Sequence, residues 1–356
     1  MKEILKNKKI IIGIVAGLMV LVVAFALFNK EGVKIVESEV SKLELVDYDD
    51  TNFTMKIPKG WSVATAGTDM YFSIRVYDPN DDRYQIYSIL KAEPLLKNSK
   101  AKIWYENYYN AFGGDGNKML AKAIVVADGT VESFYSSFNE YVNYAKELGS
   151  TFNAPDLKNF AVVETYENNS QLKSVAKDDK ILRGTFQDSK TSKNGEGLFM
   201  ATIVDMGSNY NLGYDVLYYV AYNVMGISTA ENELINYQEL LTNSLNSLVY
   251  KDSFVNQTIA NSNEQTKNAL AINKSINDAF DSYNNAWTSR QKTYDITSQK
   301  YSDATLGYER VYDTKTGEIY KAYNGFIDDY SGKRYQAITD DMYTESISGY
   351  IEKWKK

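Results

Sequence analysis

Nineteen consecutive residues, Ile10 to Phe28, carry no polar side chain. As a helix rising 1.5 Å per residue they would extend about 28 Å, close to the roughly 30 Å of a bilayer's hydrocarbon core. Lys2, Lys6, Lys8 and Lys9 stand before the run, and such a charge asymmetry keeps an N-terminus in the cytoplasm and sends the following chain outward. The sequence thus predicts a cytoplasmic tail (1–9), a transmembrane anchor (10–28), a juxtamembrane segment (29–41) and an extracytoplasmic remainder, a single-pass protein of the cell membrane. A cleaved signal peptide is the alternative, since Ala24-Phe25-Ala26 offers a small-x-small site, but Leu27 and Phe28 continue the apolar run past it.

Two absences narrow the chemistry. The chain has no cysteine and no histidine, which removes disulfides, thiolate nucleophiles, imidazole bases, lipid attachment through cysteine and the usual zinc sites. No cofactor is expected, and a metal would have to be a hard cation on oxygen ligands. Residues 1–32 carry five lysines and two glutamates, so of the net charge of −7 the rest of the chain holds −10. An acidic exterior is a poor partner for nucleic acid, whose phosphates are bound by Lys and Arg clusters.

Beyond the anchor, residues 42–251 read as one α+β domain, an antiparallel sheet covered by helices. Alternating or apolar runs predict strands in "TNFTMKIPKGWSV", "DMYFSIRVY" and "YQIYSILKAEPLL", then at 160–166, 181–187, 197–205 and 214–224. Trp104, Tyr105, Tyr108 and Phe112 at three-to-four spacing predict a helix over 99–112, and Val131, Phe134, Phe138 and Tyr141 another over 131–148. Ser228 and Glu231 spell a capping box for a helix whose stripe is Leu234, Leu241, Leu245 and Leu248.

Residues 252–356 read as a second domain. From Ser253 to Tyr301 no proline or glycine interrupts a polar stretch, and Ile259, Ala269, Ile276, Phe280, Tyr283, Trp287, Tyr294 and Tyr301 fit a heptad stripe. That predicts one long helix. The tail after it is rich in tyrosine: "ERVYD" and "EIYKAY" bracket "TKTG" as a β-hairpin with Gly317 at the turn. Because an isolated hairpin is marginal in water, the aromatic end of the helix (Phe280, Tyr283, Trp287, Tyr294) is expected to pack on this β meander.

The run "YSDATLGYERVYDTKTGEIYKAYNGFIDDY" resembles a C-terminal module of secreted or membrane-anchored Gram-positive bacterial proteins, a similarity covering about residues 285–350 and implying no activity. With "FTMKIPKGWSV" near its start and "LLTNSLNSLVY" at its end, residues 42–251 are similar in outline to the PsbP-like fold. No functional residue of that fold matches a position here.

Tyrosine is the positive signal for function: thirty of 356 residues, each a rigid apolar face with a hydrogen-bonding tip suited to recognition. The tail turn offers the expected binding patch, Tyr323, Phe326 and Tyr330 beside Asp328 and Asp329. Asp78, Asn80, Asp81 and Asp82 alternate like a calcium loop but lack its glycine and its distant glutamate, so a solvated turn is expected and no metal site. The resulting expectation is a non-catalytic protein that binds or scaffolds at the cell envelope, with an envelope protein or a glycan as partner. The alternative is a glycan-directed envelope hydrolase using paired carboxylates, with Asp328–Asp329 and Asp340–Asp341 as candidates.

Overall fold

The structure is a computed structural model that describes residues 33–168, 170–211, 213–261 and 272–352, with the side chains of 272–280 excepted. The expected transmembrane helix at 10–28 lies outside these residues. Among the described residues no helix is long and apolar enough to cross a membrane, so that element drops out of the observed architecture, which is α+β.

In chain order the described elements are β1 (Ile35–Glu37), β2 (Leu45–Asp49), β3 (Phe53–Pro58), β4 (Ser62–Ala66), β5 (Ser73–Tyr77) and β6 (Gln85–Leu96), then α1 (Ser99–Phe112), α2 (Asp115–Lys122), β7 (Ile124–Val125), α3 (Val131–Ser136) and α4 (Phe138–Glu147). They continue with β8 (Lys158–Glu167), β9 (Ala176–Gln187), β10 (Asn194–Asp205), β11 (Tyr210–Asn211), β12 (Tyr214–Asp215), β13 (Tyr218–Ala230), α5 (Leu234–Asn246), β14 (Val249–Tyr250) and α6 (Asp252–Ala260). The last are α7 (Ile272–Ser289), α8 (Lys292–Leu306), β15 (Tyr308–Asp313), β16 (Ile319–Tyr323), α9 (Phe326–Asp329), β17 (Tyr335–Ala337) and β18 (Gly349–Ile351). The described residues form two compact units, one within residues 43–295 and one that joins residues 33–42 with 296–352.

The larger unit is built on a sheet in the order β4-β5-β6-β13-β10-β9-β8, antiparallel throughout, with β7 added in parallel to β6. Its central strands are apolar on both faces because both are covered. Along β10, Leu198 and Met200 enter one core while Phe199 and Ala201 enter the other, as the period of two in a strand requires. The first core adds β3, α5, α6 and α7; the second adds α1 to α4. Fully buried Tyr135 ties α3 to the sheet by donating to the carbonyls of Met200 (2.7 Å) and Met225 (3.1 Å).

Three expectations change here. The helix expected over 131–148 is two, divided at Ser137. The capping box does not form: Ser228 and Thr229 lie in β13, paired with Gly197 and Glu196 of β10, and sheet pairing outweighs a local cap. The first N–H of α5, that of Leu234, is instead accepted by buried Glu196 at 3.1 Å. The long helix of 253–301 is interrupted between Ser289 and Lys292, where Gln291 donates its N–H to Glu164 at 2.9 Å; part of its expected course, 262–271, lies outside the described residues.

The largest change concerns the aromatic stripe. Tyr283 and Ala286 are buried in the first core of the larger unit and Trp287 packs against it, so α7 covers this sheet rather than the C-terminal meander. Phe280 lies outside the described side chains. Charge fixes the end of the stripe. Buried Arg183 of β9 pairs with buried Asp295, which also accepts from Arg290 at 2.7 Å. The Arg183 guanidinium lies 5.6 Å from the Trp287 ring centre and 4.8 Å from that of Tyr294, and Arg290 lies 3.8 Å from that of Trp287. A stripe read as apolar therefore ends as an aromatic sleeve around two cations.

The smaller unit answers what supports the tyrosine-rich tail. Its sheet runs β1-β18-β16-β15-β17. The hairpin β15–β16 forms with Val311 opposite Tyr320 and Tyr312 opposite Ile319, and Gly317 takes φ +80° at the turn. The segment expected as a juxtamembrane connector supplies β1, which pairs with β18, and Val33 joins Val311, Tyr320, Phe326, Tyr335 and Ile351 in the core. Residues 296–306 contribute by charge. Buried Asp303 accepts from Arg310 at 2.6 Å and lies 3.2 Å from Lys321, while Gln299 accepts from Arg310. At 76% exposure, Tyr301 is outside any core.

Candidate functional site

Within the larger unit, β6 interrupts an apolar strand with two charges, Lys91 and Glu93, two residues apart and hence on one face. They form an ion pair at 2.5 Å with side chains only 12% and 13% exposed. This pair stands in a cavity of about 510 Å³ between the strands β4 to β6, α4 and the loop after it. The volume lies within the range that holds small molecules, about 300–1,000 Å³.

Each wall has a local cause. Tyr71 is the last residue of the short helical turn Asp69–Tyr71, and its hydroxyl donates to Glu93 Oε1 at 2.6 Å while Lys91 Nζ sits 4.6 Å from its ring centre. That turn folds back tightly on Gly67 (φ +80°): a Cβ there would lie 2.2 Å from the Tyr71 carbonyl oxygen, so only glycine permits the approach. On α4, Tyr141 and Tyr144 are one turn apart, face the cavity together and stand 5.7 Å ring to ring. Ile89, Met119, Val142 and Phe152 complete an apolar lining.

The electrostatics are those of a neutral pair in an aromatic setting. Burial, then the hydrogen bond to Glu93 and its charge, pushes the Tyr71 phenol well above its ordinary range. Burial, then Glu93, does the same to Tyr141; burial, then Tyr141 and Glu93, to Tyr144. All three are neutral donors at physiological pH. What the arrangement can do is hold a largely apolar molecule and meet its polar end with the Lys91–Glu93 pair, the exposed Lys146 and phenolic hydroxyls. A hydrolase of the paired-carboxylate kind needs two facing acids, and Glu93 is the single acid among the lining residues.

The residues singled out in the tail come together in the smaller unit, and for a different purpose. Phe326 is 3% exposed in that unit's core, stacked on Tyr330 (5.2 Å, 15°) and edge-on to Tyr323 (5.7 Å, 84°). It is not a surface contact, because so small a sheet needs its largest apolar side chain inside. Tyr323 and Tyr330 are half-buried around it, and the Tyr323 hydroxyl donates to Asp329 at 3.3 Å; Asp328 and Asp329 are exposed. In the acidic turn, Asp78 accepts from the N–H of Asn80 at 2.9 Å and Asp81 pairs with Arg83. Among the described residues no group of three or more acidic side chains is placed to hold a metal ion.

The cavity escaped sequence reasoning, yet it left a signal: two charges, Lys91 and Glu93, one residue between them inside "YQIYSILKAEPLL", a strand otherwise built for burial. No family model and no curated protein matches the sequence.

Proposed function

We propose that this is a binding protein of the cell envelope that works outside the cytoplasm, without catalysis, and takes a small and mostly apolar ligand into the cavity around Lys91 and Glu93. The observation that carries the reading is the cavity itself: about 510 Å³, walled by Tyr71, Tyr141, Tyr144 and Phe152, with an ion pair as its polar point. Pockets of this composition hold ligands by apolar area and orient them by a few polar groups. The extracytoplasmic setting rests on the lysine-led apolar run 10–28 and on the acidic character of the remaining chain. A second contact with an envelope protein or glycan is compatible with the exposed aromatic ladder of α1, where Tyr108 stacks near Trp104 (5.4 Å) and Phe112 is 73% exposed.

The test is native mass spectrometry of the full chain after incubation with a small-molecule extract of cell envelopes. Wild type should carry an added mass that Ala145→Trp, which fills the cavity from α4, does not. An equal added mass on both proteins, or none on either, overturns the proposal.

A further inference from the structure

We propose that the ligand of this cavity is a zwitterion with both charged groups on one carbon, in the manner of an α-amino acid with a large apolar side chain. The inference rests on the binding role proposed above and adds the class of ligand. Lys91 Nζ and Glu93 Oε1 are 2.5 Å apart and both side chains are largely withdrawn from water. A ligand with one charge can engage Lys91 or Glu93 only by drawing it from the other, and that leaves an opposite charge buried and uncompensated, which is strongly unfavourable; Lys146, the other cation of the lining, is exposed to water and offers an anion only a screened contact. A zwitterion escapes this cost. Its ammonium group faces Glu93, its carboxylate faces Lys91, and the four charges alternate with none unpaired. The cavity's own groups make adjacency matter, since a ligand whose charges are far apart cannot reach both members of a contact pair.

The surroundings fit the rest of such a molecule. The Tyr71 ring already accommodates the Lys91 ammonium at 4.6 Å, which shows a ring face positioned for a cation. The Tyr71 hydroxyl, bonded to Glu93 at 2.6 Å, keeps the carboxylate oriented. Tyr141, Phe152 and Ile89 line the same cavity and offer aromatic and aliphatic surface to a side chain.

The experiment is isothermal titration of the full chain with five water-soluble probes: phenylalanine, phenethylamine, 3-phenylpropionate, 2-phenylethanol and phosphocholine. The first four share a ring and differ in charge, and the fifth is a zwitterion with separated charges. Phenylalanine should bind about tenfold or more tightly than each of the others. Lys91→Met should bring phenylalanine down to the level of phenethylamine, and Glu93→Gln should bring it down to that of 3-phenylpropionate, each titrated at a temperature where circular dichroism shows the variant folded, since removing one member of the pair lowers stability. If the uncharged alcohol or phosphocholine binds as well as phenylalanine, or if the two variants leave the order of the probes unchanged, the zwitterion inference is overturned while the cavity remains a binding site. If none of the probes binds and Ala145→Trp also leaves the envelope-extract result unchanged, the binding role itself has failed.

Discussion

Replacing Glu196 with glutamine should make this protein less sensitive to alkaline pH. Glu196 belongs to a buried group of two guanidiniums, Arg183 and Arg290, and three carboxylates, Glu164, Asp295 and Glu196. One carboxylate is in excess. Asp295 is bonded to both arginines, and Glu164 accepts from the Tyr166 hydroxyl (2.6 Å) and the Gln291 N–H. Glu196 has the Leu234 N–H and lies 3.6 Å from Arg183. Burial, partly offset by Arg183, pushes its carboxyl up to about 7 from an ordinary 4.5. The folded chain thus holds this proton where the unfolded chain has released it. Its stabilising contribution is complete below pH 4.5 and is lost as pH rises through 7, since the folded state binds more protons than the unfolded one in that window. At about 1.4 kcal/mol per pH unit the loss is roughly 3 kcal/mol. Glutamine is uncharged throughout and its carbonyl oxygen can still accept from Leu234. The assay is urea unfolding at pH 5 to 8 followed by tryptophan fluorescence, for which Trp61, Trp104 and Trp287 all report on the larger unit. The wild-type midpoint should fall across this range relative to Glu196→Gln, by an amount equivalent to roughly 3 kcal/mol. Parallel pH profiles for the two proteins would refute the account of the buried charges.

Trp287→Ala should cost about 2–3 kcal/mol, less than a fully buried tryptophan because the ring is half-exposed; limited proteolysis should then open sites within 43–295, and new cleavage confined to 306–350 would mean that α7 covers the tail after all. Val36→Pro should loosen the smaller unit by breaking the pairing of β1 with β18, with faster hydrogen exchange at 308–323 and none of that change in β9 or β10; unchanged exchange in the hairpin would show that β1 is dispensable. Tyr135→Phe removes a hydroxyl shared by two buried carbonyls and should lower stability by about 1–2 kcal/mol, read as a shift in the urea midpoint; no shift would mean that those carbonyls do not depend on it.

The local layer of this fold was legible because local rules decide it. Period-two alternation marks β3, a continuous apolar run marks β6, and the four-residue connection with a glycine at positive φ marks the hairpin at 308–323, since these properties are set by neighbours along the chain. The stripe Leu234, Leu241, Leu245 marks α5 in the same way. Its cap was misread, because the choice between Ser228 as a cap and Ser228 as a strand residue depends on β10 being there to pair with it. The same limit applies to the charges. "LKAEP" reads as two solvated side chains until Tyr71 and α4 close over them, and only then do they become the polar point of a cavity.

By itself the sequence determined the chemistry that is possible: no cysteine or histidine, oxygen-only ligands for a metal, a net charge of −10 beyond residue 32, and an abundance of phenols. It also marked most of the larger unit's strands and the helices at 99–112 and 234–246. What only the tertiary structure decided was partnership. An aromatic helix stripe carries no address, and Tyr283 and Trp287 offer area to any apolar surface. On the larger sheet Tyr283 and Ala286 are buried in its core, and Arg183 of β9 holds the far end of the stripe through Asp295. The tail, left without that helix face, is completed by residues 33–37 from the other end of the described chain. Such a pairing lies beyond any periodicity, because a β-ladder is specified by backbone groups that every residue shares.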